Sequence, residues 1–188
     1  MMTTDTIKTF FRAFVLFMMS LTVQTALGAF VQPEKLPTDS WANHQATSFS
    51  SGSGTQADPW VITSPAELAF LAYQVTNNKS INGVACVSAY YSLQADLNLK
   101  DHIWVPIGNL STGDGKNFKG NFEGNGHVIK NMMLQWEVTN STQAIGLFST
   151  ILNGAVVQNL VLDNAYIYNN VTTITNPTAD RLVAPFAG

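Results

Sequence analysis

A short pattern that occurs twice constrains the fold of this chain more than any other feature. Residues 125–134 read NGHVIKNMML, and the pattern returns at 153–162 as NGAVVQNLVL. An Asn-Gly turn followed by a short β-branched run is typical of a supersecondary unit that buries its apolar face by stacking on a neighbour. The repeat therefore predicts a solenoid in which a strand from Val128 to Leu134 lies beside a strand from Val156 to Leu162.

Alternate residues of each predicted strand point to opposite sides, which places Val157 in the interior of the stack. The two copies also carry an asparagine at the same place, Asn131 and Asn159. Stacked strands lie roughly 4.8 Å apart, within reach of a side-chain amide. We therefore expect these asparagines either to form an inward amide ladder or to close a turn.

Composition narrows the class of protein. Of the 188 residues, 46% are hydrophobic and 11% are charged, against about a quarter charged in a typical soluble domain. Low charge with abundant Asn, Thr, Ser and Gly is typical of extracellular β-rich repeat proteins, and 11 Phe and 4 Trp argue against disorder. The net charge of −3 leaves no basic stripe, so no nucleic-acid partner is expected.

The first domain boundary is predicted at Gly28. Residues 1–28 resemble a signal peptide, with Lys8 and Arg12 before an apolar run and small residues at Ala26 and Gly28. The apolar run is shorter than the roughly 20 residues that a spanning helix needs. We expect export to the medium or the cell surface and no membrane span after signal cleavage; a retained anchor is the alternative.

Two further domains follow the predicted signal peptide. Residues 29–58 are rich in Pro, Ser and Gly and are predicted to be a leader and linker. Trp41 and Phe49 within that segment are expected to dock on the first coil. Residues 59–188 are predicted to be the solenoid with an N-terminal cap.

The cap is predicted as a short helix from Ser64 to about Asn77. Ser64 and Glu67 form a capping box around Pro65, which suits the first helical position. Apolar residues then recur at helical spacing, and such a stripe would cover an open coil edge. A partner-binding helix is the alternative.

Cys86 is the single cysteine of the chain, so an exported form cannot make an internal disulfide. Its neighbours Val84, Ala85 and Val87 are apolar, and no histidine lies close in sequence. A buried, unreactive thiol is therefore expected.

The succession of segments from Gly52 onward resembles extracellular bacterial proteins with GLUG-motif repeats, which include surface adhesins and the N-terminal repeat region of IgA-specific metallopeptidases. The matching segments are 52–62, the helix around Glu67 and Leu68, 96–99, 104–108, 118–131, and 145–148 running into 157–160. The resemblance implies an all-β, right-handed parallel β-helix with one short capping helix. It also implies surface exposure and no catalytic residue in this region.

The sequence carries no motif for catalysis, and it predicts neither a metal nor a cofactor. His44, His102 and His127 are scattered without ligand spacing, and H-E-x-x-H is missing. Parallel β-helices also include polysaccharide lyases and hydrolases, so a carbohydrate-active enzyme is the alternative. Its two carboxylates would come from Asp101, Asp114 and Glu123, and spacing selects no pair.

The predicted function is a non-catalytic, adhesin-like module that binds a glycan or a host or surface protein through the lateral face of the solenoid. Trp104, Tyr166 and Tyr168 are the predicted ligand contacts. The apolar segment 181–188 reads as the start of another coil, which predicts truncation at the C-terminal end and association through an open edge there. The chain would then be the N-terminal region of a larger protein, such as an extracellular peptidase.

Overall fold

The computed structural model describes residues 36–110, 115–136, 143–169 and 181–183. The predicted signal peptide, Asp114 and residues 184–188 lie outside these ranges. The described residues from Pro37 onward belong to one unit of the chain, Pro37–Gly188. Within the described ranges, no helix has the length and apolar character needed to cross a membrane.

The described residues form one α-helix and a series of short strands. The helix is α1 (Pro65–Thr76), and 3-10 helices span Trp41–Asn43 and Cys86–Ser88. The strands are β1 (Trp60–Ile62), β2 (Ser80–Ile81), β3 (Val84–Ala85), β4 (Tyr90–Leu93), β5 (Leu97–Asn98), β6 (Ile103–Trp104), β7 (Asn121–Glu123), β8 (Val128–Lys130), β9 (Met133–Trp136), β10 (Gln143–Ile145), β11 (Val156–Gln158), β12 (Val161–Asp163), β13 (Tyr166–Asn169) and β14 (Arg181–Val183).

Three parallel sheets dominate the fold. We call them sheet A (β1-β4-β7-β11), sheet B (β5-β8-β12) and sheet C (β6-β9-β13). From β4 onward the chain visits sheets A, B and C in that order, turn after turn. A parallel β10–β14 pair and an antiparallel β2–β3 hairpin complete the set. The prediction of a mostly β fold with one helix is confirmed, with parallel strands throughout the three sheets.

The predicted pairing of the two repeat copies is wrong. The repeat aligns Val128 with Val156, whereas in the structure Val128 of β8 pairs with Val161 of β12. Val157 of β11 pairs instead with Phe122 of β7. Successive turns are therefore spaced more widely along the chain than the two copies of the repeat. The repeat matches β8 to β11, which lie in different sheets.

The reason is the conformation of the two repeated asparagines. Asn131 and Asn159 have φ values of 57° and 54°, in the left-handed region that asparagine tolerates better than most residues. Such a residue ends a strand and turns the chain. Each strand that the repeat predicts is therefore two short strands that meet at a corner, β8 with β9 and β11 with β12.

An amide ladder does exist, but Asn131 forms it with Asn98 and Asn164 rather than with Asn159. Asn131 Nδ2 donates to Asn98 Oδ1 at 3.0 Å, and Asn164 Nδ2 donates to Asn131 Oδ1 at 2.7 Å. The ladder ties three successive turns along one corner, and its Asn164 end is exposed. Asn159 lies at another corner and donates to Glu123.

The core is a column of aromatic rings flanked by aliphatic side chains. Ring centroids are 5.5 Å apart for Trp60 and Tyr91, 6.1 Å for Tyr91 and Phe118, and 4.9 Å for Phe118 and Phe148. Such spacings fall in the range of favourable aromatic contacts. Val157 is half-buried against this core, which agrees with its predicted inward orientation.

Helix α1 begins and ends where the sequence predicts. Glu67 N donates to Ser64 Oγ at 3.3 Å, while Ser64 N donates to Glu67 Oε2 at 3.0 Å, so the capping box is complete. Asn77 is the C-cap. Leu68, Leu71 and Val75 are fully buried in the core, so the helix contributes its apolar stripe to the same core as the sheets.

The described part of the predicted leader is packed on the rest of the domain rather than free. Trp41 is buried, and its Nε1 donates to Leu99 O at 3.1 Å. Phe49 stacks on Trp60 with ring centroids 5.1 Å apart. The expected docking of Trp41 and Phe49 is confirmed. Backbone hydrogen bonds, such as Tyr90 N to Gly54 O at 3.0 Å, fix the segment further.

Candidate functional site

A small apolar cavity lies where α1, the first 3-10 helix and the end of β6 meet. Its volume is about 160 Å³. Tyr73 and Val105, two of its lining residues, are 42% and 37% exposed, so the cavity reaches the surface. The lining consists of Trp41, Ala42, Ala69, Ala72, Tyr73, Thr76, Asn77, Trp104 and Val105.

The structure places the three predicted ligand contacts differently. Trp104 is 2% exposed, and its Nε1 donates to Leu147 O at 3.2 Å, so its ring forms a wall of the cavity rather than part of the outer face. Tyr166 is half-buried in β13, in register with Met133. Trp104 is in register with Leu134, the next residue, so Trp104 and Tyr166 belong to opposite faces of sheet C. The side chain of Tyr168 lies outside the described residues.

Beside the cavity, the structure brings together three polar side chains, Asp39, His44 and His102. Asp39 Oδ2 lies 2.7 Å from His44 Nε2. The rings of His44 and His102 stack with centroids 3.7 Å apart and an interplanar angle of 12°. One potential ligand atom from each of the three residues lies within 4.8 Å of the others. We call this group the Asp-His-His cluster.

Backbone pairing explains why the cluster forms. Ser40 makes a parallel bridge with Ile103, and Ile103 N donates to Asp39 O at 2.8 Å. His102 precedes Ile103, so the bridge brings it to Asp39. The 3-10 helix Trp41–Asn43 then returns the chain to His44, whose backbone N–H donates to Trp41 O.

The carboxylate of the cluster is held in its ionised form. Hydrogen bonds from Asn43 Nδ2, at 2.6 Å, from His44 and from the backbone N–H of Ser40 lower the pKa of Asp39 to about 2. Asn43 and Ser40 both donate to Oδ1, which leaves Oδ2 facing His44. The second oxygen is therefore directed toward the two imidazole rings.

The prediction that the histidines are scattered is wrong for two of them. His44 and His102 are far apart in the sequence, and no local spacing signals their contact. The one available hint was Trp41, which was expected to dock on the first coil and does so beside His102, with ring centroids 4.8 Å apart. His127 lies elsewhere, with its Nδ1 at 3.0 Å from Asp96 Oδ1.

Other carboxylates hold neighbouring turns together. Glu123 accepts hydrogen bonds from Asn125 N, Gln158 Nε2 and Asn159 Nδ2, and these bonds lower its pKa. Asp96 accepts from Val128 N and from His127, and its pKa is lowered in the same way.

Glu67 also accepts hydrogen bonds, within the capping box of helix α1. Burial favours its neutral form, but hydrogen bonds from Ser50, Thr63 and Ser64 outweigh that effect and lower its pKa.

The sequence offered three candidates for a catalytic acid, Asp101, Asp114 and Glu123. Glu123 is hydrogen-bonded to the neighbouring turn, Asp101 is exposed, and Asp114 lies outside the described residues.

Cys86 is fully buried, as predicted. Burial raises the pKa of its thiol to about 11, so the thiol stays protonated at neutral pH. Tyr91 Oη donates to the backbone oxygen of Cys86 at 2.6 Å. This residue belongs to the core rather than to a reactive site.

Comparison with known proteins gives one similarity. The chain is 29% identical over 122 residues to Halomucin from Haloquadratum walsbyi, a match that covers 64% of this chain and 1% of Halomucin. The chain therefore corresponds to a very small part of that protein. No protein-family model matches the chain, and no solved structure matches it.

Proposed function

We propose that this chain is a secreted or cell-surface, non-catalytic binding module built on a right-handed parallel β-helix. The regular visiting order of sheets A, B and C supports a helical path of the chain. Crossover connections between parallel strands are right-handed in about 98% of cases, which supports the handedness. The resemblance to GLUG-repeat proteins in the sequence points to the same architecture.

An extracellular location rests on composition and on the similarity to Halomucin. The low fraction of charged residues, 11%, suits an exported repeat protein. The similarity over 122 residues to a protein named Halomucin, a name that indicates a mucin-like protein, supports the same location.

The use of the carboxylates supports a binding role over a catalytic one. A glycosidase acid needs a raised pKa and a partner carboxylate across the scissile bond. Asp39, Glu67, Asp96 and Glu123 all have lowered pKa values because they accept hydrogen bonds from nearby backbone and side-chain donors. For Asp96 and Glu123 these bonds join neighbouring turns of the fold.

The observation that carries the binding role is the apolar cavity. An apolar cavity of about 150 Å³ can hold a molecule of the size of benzene. Two polar side chains of its lining already have partners, since Thr76 Oγ1 bonds to Gly108 O at 3.3 Å and Asn77 Nδ2 to Tyr73 O at 2.8 Å. Sugar hydroxyls would find few partners there, which favours an apolar side chain of a protein partner as the ligand.

Selection of peptides from a displayed library on the full chain tests this proposal. We expect the selected peptides to share one large apolar residue. Val105→Asp, at the rim, should weaken their binding at least tenfold. Val161→Asp is the matched control, because Val161 is also exposed but lies in β12, away from the cavity.

A glycan array combined with an assay for released reducing ends tests the rival function. Turnover of any bound polysaccharide would contradict the non-catalytic role and favour a carbohydrate-active enzyme. Glycan binding that Val105→Asp abolishes would keep the module and the cavity but replace the protein ligand with a sugar.

A further inference from the structure

We propose that Asp39, His44 and His102 form a binding site for a divalent transition-metal ion, with Zn²⁺ as the best fit. The proposal goes beyond the binding role above and does not depend on it. The set offers two imidazole nitrogens and one carboxylate oxygen. Zinc accepts this combination in sites with three protein ligands and an open fourth position.

The distances suit one ion after a single rearrangement, in which the exposed His44 ring turns out of its parallel stack on His102 so that the in-plane lone pairs of both rings converge. Zn–N and Zn–O bonds of about 2.0–2.2 Å place two ligand atoms of a tetrahedral site about 3.4 Å apart. The three potential ligand atoms already lie within 4.8 Å of one another. His44 is exposed and can turn, while Asp39 and His102 are half-buried and held by the Ser40–Ile103 bridge.

The residues around the cluster also hold the Asp39 carboxylate in place, as the neighbours of metal ligands usually do. Metal-bound carboxylates are usually oriented by hydrogen bonds to their other oxygen. Asn43 Nδ2 and Ser40 N supply such bonds to Asp39 Oδ1, at 2.6 and 2.7 Å. Asp39 Oδ2 accepts neither of these bonds and faces His44. Trp41 makes a T-shaped contact with the His102 ring, with ring centroids 4.8 Å apart.

Calcium and magnesium fit less well. Both ions prefer sets of six or more oxygen ligands, whereas this site supplies two nitrogens. Imidazole, by contrast, suits zinc, copper and nickel. A bound ion would connect the segment around Asp39 and His44 to His102, the residue before β6. It would thereby join two regions that are distant in the sequence.

Calorimetry with the tag-free full chain, after chelator treatment, tests the site with ZnCl₂ and with CaCl₂. We expect one zinc ion per chain and no saturable calcium binding. His44→Gln and His102→Gln should each weaken zinc binding at least tenfold, and Asp39→Asn about tenfold. Zinc should raise the melting temperature of the wild type and leave that of the double variant His44→Gln/His102→Gln unchanged.

His127→Gln is the matched control. His127 also contacts a carboxylate, at 3.0 Å, but no second imidazole joins that pair among the described residues. This variant should keep the wild-type zinc affinity. The absence of saturable zinc binding would overturn the proposal, as would zinc binding that survives the double variant or is lost in His127→Gln. Because the three side chains of the cluster are at least partly exposed, circular dichroism should show the same fold for every variant.

Discussion

Sheet A is packed very differently at its inner strands and at its last described strand. One row of inward positions crosses the sheet as Trp60, Tyr91, Phe122 and Val157. The first three are almost completely buried. Tyr91 and Phe122 lie in the two inner strands, and Trp60, in the first strand, is covered by Phe49 of the preceding segment. Val157 is half-buried in β11, which pairs with β7 and with no second strand among the described residues. Burial in this fold thus depends on neighbouring turns more than on the strand itself.

The largest effect is expected when the same substitution, leucine to alanine, is made in an inner turn and in the last described turn. Leu93→Ala in β4 removes a fully buried side chain and should cost about 2–5 kcal/mol of unfolding free energy. Leu162→Ala in β12 removes a half-buried side chain and should cost about 1–2 kcal/mol. Urea unfolding of both variants measures the difference. Equal losses would contradict the ranking of the two regions.

A charge on either face of β11 tests the inward assignment at the less buried end. Val157→Asp should destabilise by about 2 kcal/mol, because its carboxylate would face the core without a partner. Val156→Asp, at a position 41% exposed in the same strand, should change stability by less than about 0.5 kcal/mol. Thermal melting separates the two, and the reverse order would show that the faces are exchanged.

The corner at Asn131 links the inner turn to the last described turn. Asn131→Ala loses both amide hydrogen bonds of the ladder and strains a backbone with φ of 57°, so we expect a loss of about 1–2 kcal/mol. Asn131→Gly keeps the backbone unstrained and loses only the hydrogen bonds. Chemical unfolding should therefore rank the glycine variant between the wild type and the alanine variant; if both variants lost the same stability, backbone strain would play no part.

Acid should weaken both the capping box of helix α1 and the contact of Glu123 with Gln158 and Asn159, with a larger effect at the capping box. The pKa values of Glu67 and Glu123 are lowered in the folded state, so their stabilising contributions are present above pH 4.5 and are lost as pH falls below it. Glu67→Gln should flatten this acid dependence more than Glu123→Gln, because the residue Glu67 is buried and its hydrogen bonds are better shielded from water. Melting temperatures of both variants, measured from pH 7 downward, test this prediction. A flatter acid dependence in Glu123→Gln than in Glu67→Gln would contradict it.

Helix α1 was predictable because its signals are local. Ser64, Pro65 and Glu67 lie close together and specify one end of a helix through hydrogen bonds that the chain makes with itself. The docking of Trp41 and Phe49 was also predictable, because both are large aromatic residues in an otherwise polar segment, as was the burial of Cys86 among apolar neighbours.

The register was not predictable from the repeat. Asparagine occurs both at strand ends and at left-handed corners, and the letters around Asn131 and Asn159 do not tell the two apart. When each copy of the repeat is interpreted as one strand, β8 is aligned with β11, although these two strands lie in different sheets. The Asp-His-His cluster was missed for a related reason, because a contact between His44 and His102 depends on the register of Ser40 with Ile103.

Successive turns do not all have the same length. In sheet A, Asn121 pairs with Tyr90 on one side and with Val156 on the other, and the chain is longer from Asn121 to Val156 than from Tyr90 to Asn121. The corners absorb this difference without breaking the ladders of hydrogen bonds. At Gly154 an added Cβ would meet nothing within 4 Å. Asn153 and Gly154 form an exposed turn, so we expect a peptide inserted there to project into solvent while the strands on both sides keep their partners.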